Sequence, residues 1–97
     1  MPSQFSLERI PKGYQQLTVS TTAVGLTIPS GATRAVVYVE SQPVRWRDDG
    51  VAPTSTVGVP AVDTDAFELP SIQSVNQFQA IRSGASDATL NIVYYGA

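Results

Sequence analysis

The chain has neither cysteine nor histidine in its 97 residues. Without cysteine there is no disulfide framework, no thiolate metal site and no thiol nucleophile. Without histidine the usual general base, the commonest metal ligand and the switch near neutral pH are also missing. Charge is scarce: charged residues make up 14% of the chain, against roughly 25% in typical soluble proteins. The six basic residues (Arg9, Lys12, Arg34, Arg45, Arg47, Arg82) face eight acidic ones, for a net charge of −2. Only Arg45 and Arg47 stand close together, and Asp48 and Asp49 follow them at once. The basic stripe that marks a nucleic-acid binder is therefore lacking. No apolar run approaches the ~18–20 residues of a membrane-spanning helix. Residues 1–10 lack the basic and apolar regions of a cleaved signal. The expectation is a soluble, cytoplasmically made protein that binds neither nucleic acid nor membrane.

What the sequence does contain is β-forming material. Valine is the most frequent residue, at 12, and serine and threonine together number 19. Seven glycines and seven prolines interrupt the chain at short intervals, a spacing that suits short strands and tight turns. No stretch sustains a helical apolar period over three turns. Strands are expected over residues 14–19, 23–28, 33–40, 44–47, 56–59, 66–69, 76–82 and 88–95. Residues 33–40 are apolar on both parities, which predicts a central strand or one covered on both faces. Ser83-Gly84-Ala85-Ser86-Asp87 reads as the loop of a hairpin joining the last two strands. The fold class is thus all-β: an antiparallel β-sandwich or jelly-roll-like barrel of about eight short strands. Residues 14–97 form one domain in this reading, preceded by an N-terminal arm at 1–13. Phe5, Leu7 and Ile10 would let that arm dock on a neighbour or complete the chain's own sheet.

The densest cluster of functional residue types is Arg45-Trp46-Arg47-Asp48-Asp49-Gly50. Read locally, it is a strand ending in a turn. Gly50 supplies a positive φ, Asp48 bonds nearby amides, Trp46 anchors the core, and the arginines pair with a cross-strand carboxylate such as Glu40. Read functionally, it is an exposed patch rich in the residues most enriched at interface hot spots. Asp48, Asp49, Asp63 and Asp65, the last two in Asp-x-Asp spacing, are candidate calcium ligands, but solvated turn aspartates account for them better. Neither a carboxylate pair for glycoside hydrolysis nor a nucleotide-binding loop is supported. No catalytic residue and no cofactor is expected. Tyr94 and Tyr95 read as one core and one surface residue of an edge strand, with an interface tyrosine as a further option.

The run Val44-Arg45-Trp46-Arg47-Asp48-Asp49-Gly50, with Pro53-Thr54 and Val57-Gly58 after it, resembles a signature of small proteins of tailed bacteriophages and prophages. Leu90-Asn91-Ile92-Val93-Tyr94-Tyr95 is similar to their closing strand, and the likeness runs from about Tyr14 onward. The resemblance implies a non-enzymatic virion component, made in the bacterial host cytoplasm. Such a protein would decorate or cement the capsid by contacts with the major capsid protein or other virion proteins, as a homo-oligomer. It implies no catalytic residue, only that Arg45 to Gly50 form the family's strand and turn. A tail, baseplate or fibre-associated β-domain is the alternative within that context, and a small carbohydrate-binding or adhesion module the alternative outside it.

Overall fold

The structure is a computed structural model that describes residues 10–97. The part of the arm at residues 1–9, with Phe5 and Leu7, lies outside the described residues. Among the described residues seven strands and one short helix follow in the order β1 (Ile10–Val19), β2 (Arg34–Glu40), β3 (Val44–Arg47), β4 (Val59–Ala61), β5 (Ala66–Leu69), α1 (Ile72–Gln77), β6 (Gln79–Arg82) and β7 (Ala88–Gly96). They form two antiparallel sheets, one ordered β1-β7-β2-β5 and the other β4-β3-β6. The all-β sandwich expected from valine content and alternation is the observed class.

Alternation dictates which side of each strand faces the other sheet. Ala35, Val37 and Val39 of β2 and Ala88, Leu90, Ile92 and Tyr94 of β7 are buried. The second sheet meets them with Val44, Ala61 and Ala80, while Phe78 and Val75 close the end of the core. Residues 10–13, assigned by the sequence to the arm, lie in β1 and are paired with β7, with a bulge between Pro11 and Gly13.

Several local expectations need correction. Residues 23–28 form no ladder strand, and only Val24 bridges Ala80, through two 2.9 Å hydrogen bonds. Leu26 and Ile28 still pack against the core. The next amide, Thr27 N, donates to the Gln15 side chain at 3.2 Å instead of to a strand. Alternation recorded burial there, not pairing. Residues 56–58 are turn, and the strand begins at Val59. Residues 76 and 77 belong to α1, whose N-cap Ser71 accepts from Ser74 N at 3.1 Å. Six residues are too few to display a helical period. The expected hairpin at 83–87 is a crossover: β6 pairs with β3, whereas β7 pairs with β1 and β2. A short glycine loop between two alternating runs looks the same whether the chain stays in one sheet or changes sheet. Finally, β2 is central in its sheet but covered on one face only, since Tyr38 is exposed.

Candidate functional site

The Arg45–Gly50 cluster folds onto itself. Arg45 Nη1 donates to the Gly58 carbonyl at 2.9 Å. Arg47 grips Asp49 with two hydrogen bonds, Nε to Oδ1 at 3.0 Å and Nη2 to Oδ2 at 2.5 Å. Asp49 Oδ1 also accepts from Val51 N at 3.4 Å. The hydrogen bonds of this pair raise the Arg47 pKa and lower that of Asp49. Both groups face water, so the pair shapes the turn more than it stabilises the fold. Asp48 Oδ2 accepts from Ser74 Oγ at 2.5 Å, which ties the turn to α1. Glu40 is not the partner of either arginine; its Oε1 accepts from Asn91 Nδ2 at 2.8 Å. Side-chain chemistry predicted an acidic partner for the arginines, but backbone geometry places a carbonyl beside one and a next-but-one aspartate beside the other.

Trp46 is half-buried and stacks on Phe67, with ring centroids 4.4 Å apart and planes 8° from parallel. Phe78 tilts against it at 5.8 Å. The indole Nε1 is buried and has no hydrogen-bond partner among the described residues. Trp46 therefore serves the sandwich interior. A hollow of about 280 Å³ is lined by Arg47, Asp48, Asp49, Gly58 and Val59, but all three charged groups in it already bond within the protein.

The aspartates weighed as cation ligands are likewise engaged. Asp63 Oδ1 accepts from Ser41 N at 2.9 Å, and Asp65 Oδ2 accepts from Val62 N at 2.8 Å. Among the described residues no three acidic side chains converge. A larger hollow of about 450 Å³ near Thr21, Pro53 and Ile81 has Arg82 as its one charged wall, and Arg82 pairs with Asp87 at 2.7 Å.

The surface that the sequence did not single out is the outer face of the four-stranded sheet. Strand register places Tyr14, Val93 and Val36 in one row and Gln16, Asn91 and Tyr38 in the next. Tyr95 lies beyond the first row, beside Arg34. Tyr14 is 62% exposed and Tyr38 46%; Val36, Val93 and Tyr95 are half-buried. Asn91 organises the centre: its Oδ1 accepts from Tyr14 Oη at 2.6 Å and from Gln16 Nε2 at 3.2 Å. Arg34 and Glu68 form an ion pair at the border of this face. The result is a tyrosine-rich face whose charged groups, the Arg34–Glu68 pair and Glu40, bond within the protein. Its signal in the sequence was the opposite parity to the core residues, and only the register brings those positions together.

On the inner side, Tyr94 Oη donates to Gln15 Oε1 at 2.6 Å. Tyr94 and Tyr95 do divide into core and surface, but β7 is an interior strand and not an edge. Burial pushes the Tyr94 phenol up to about 12. A raised phenol pKa means that the fold retains a proton the unfolded chain has released. The contribution is complete below pH ~10, the ordinary tyrosine value, and is lost as pH climbs towards 12. We expect denaturant midpoints to fall across that window and to fall less steeply in Tyr94→Phe.

Comparison of the chain with protein-family models, curated proteins and solved structures gives no match.

Proposed function

We propose that the chain is a non-enzymatic structural protein of a tailed-phage particle, decorating or cementing the head through the outer face of its four-stranded sheet. The observation that carries this reading is the face of Tyr14, Val36, Tyr38, Val93 and Tyr95, with Tyr14 bonded to the central Asn91. Tyrosine is favoured at binding surfaces because it offers large contact area and one polar tip. The phage context comes from the Arg45–Gly50 signature. In this reading the signature is a scaffold element, because its charged groups bond to each other, to Gly58 and to α1. Repeated copies on a symmetric shell convert modest single contacts into firm attachment.

The test is incorporation of the chain into purified particles, measured by quantitative mass spectrometry for the native chain and for Tyr38→Arg. Native chain in proportion to the major capsid protein supports a head location, and a small fixed number per particle moves it to the tail. A glycan-binding module draws on the same exposed tyrosines. Absence of the chain from particles, together with glycan-array binding that Tyr38→Arg abolishes, would replace the virion reading with that one.

A further inference from the structure

The strand edges are unequal. β5 has four residues, and β4 has three with Pro60 in the middle. The free side of β6 is partly closed, since Val24 bridges Ala80 and Arg82 N donates to Ser20 O at 3.0 Å. β1 is the other edge strand of the larger sheet among the described residues; its proline, its one charge and its bulge all fall at Pro11–Gly13, and Tyr14–Val19 is an unbroken, uncharged run. Short strands, proline, lysine, bulges and covering loops are the usual protections of an edge, and a run without them, such as Tyr14–Val19, is a pairing site.

The outward backbone groups of β1 follow from the hydrogen bonding of its neighbours. Val39 exchanges hydrogen bonds with Asp65 and Thr64, so its amide and carbonyl face β5. Alternation then turns Arg34, Val36, Tyr38 and Glu40 towards β7, and their partners Tyr95, Val93, Asn91 and Thr89 back towards β2. The Thr33 N to Tyr95 O bond at 2.9 Å agrees. Tyr94, Ile92, Leu90 and Ala88 therefore bond Gly13, Gln15, Leu17 and Val19. Tyr14, Gln16 and Thr18 are left with N–H and C=O groups pointing away from the sheet. Among the described residues none of these groups has a backbone partner.

We infer that β1 pairs antiparallel with β1 of a second copy, with Gln16 on the two-fold axis, joining two four-stranded sheets into one of eight. That register alone sets all three outward residues opposite outward residues: Gln16 meets Gln16 of the second copy, and Tyr14 meets its Thr18. Shifting by two in either direction leaves outward groups unpaired. The strand is self-complementary in charge as well, because Lys12 falls opposite Ser20 and never opposite a second Lys12. A two-fold interface requires this kind of self-matching, and it is what selects a second copy as the occupant. The dimer would align two tyrosine platforms on one continuous face. The inference does not depend on the virion reading, since it concerns the isolated chain.

The test is solution mass by multi-angle light scattering across protein concentration, with circular dichroism as a check on folding. The native chain should approach the mass of two 10.3 kDa chains as concentration rises. Gln16→Lys and Gln16→Glu each place like charges face to face at the axis, where opposed like charges destabilise. Each alone should stay at the mass of one chain, and an equimolar mixture should return to two. A native chain that is monomeric at every concentration overturns the inference. So does a native dimer that persists unchanged in both variants, or a mixture of folded variants that fails to associate.

Discussion

Phe78→Ala should lower the melting temperature by more than about 10 °C. Phe78 is 1% exposed and joins the end of α1 to the start of β6. Its ring lies 5.8 Å from Trp46 and 6.1 Å from Phe67, centroid to centroid. Removing it takes away buried apolar surface and leaves a cavity beside the Trp46–Phe67 stack. Truncations of this kind cost about 3–5 kcal/mol, a large share of the ~5–15 kcal/mol that holds a small domain together. For a domain of this length each kcal/mol moves the midpoint by about 4–8 °C. Phe78→Leu, which keeps most of the volume, should lose clearly less. Circular dichroism melts of both variants check this, and an alanine variant melting within a few degrees of the native chain would remove the aromatic trio from the core.

Gly58→Val is expected to destabilise by about 2–3 kcal/mol, whereas Gly50→Ala in the same motif should cost about 1 kcal/mol. Both glycines have positive φ, +140° at Gly58 and +84° at Gly50. The difference lies in their surroundings. A Cβ on Gly58 would stand 3.1 Å from the Trp46 carbonyl oxygen and 3.3 Å from Arg45 Cβ, both fixed by the β3–β4 pairing. A Cβ on Gly50 meets nothing nearer than the Gln77 side chain at 3.8 Å. Gly58 also carries the carbonyl that Arg45 holds. Urea titrations of the two variants measure the contrast directly. Equal losses would mean that the motif's tail does not brace β3.

This contrast bears on how the signature is read. Arg45 to Gly50 is the densest group of interaction-prone side chains in the sequence, and residue identities alone do not tell engaged groups from free ones. Arg47 pairs with Asp49, two residues on, and not with the cross-strand Glu40 that strand pairing suggested. The Asp48–Ser74 bond spans 26 residues and the Arg45–Gly58 bond 13, and neither follows from spacing. β3 and β5 were placed residue for residue, because short alternating runs bounded by turn residues define their own ends. α1 was missed since its signal is one capping serine, and the 83–87 crossover was missed because sheet membership is a long-range property. The tyrosine platform was legible only as parity. Tyr14 and Tyr38 are 24 positions apart in the chain and share a face solely through β7, which lies between their strands.

The proposed attachment to a particle runs through this outer face and not through the Arg45–Gly50 turn. It is tested most directly by incorporation into purified phage particles of three forms: the native chain, Tyr38→Arg and Arg47→Ala. Tyr38 is exposed, so its replacement should change stability by no more than about 0.5 kcal/mol. Native and Arg47→Ala chains should appear in matching proportion to the major capsid protein, and Tyr38→Arg should lose at least about nine-tenths of the bound chain, the tenfold drop that about 1.4 kcal/mol of lost contact energy produces. Full incorporation of a folded Tyr38→Arg chain, with loss in Arg47→Ala instead, would contradict it.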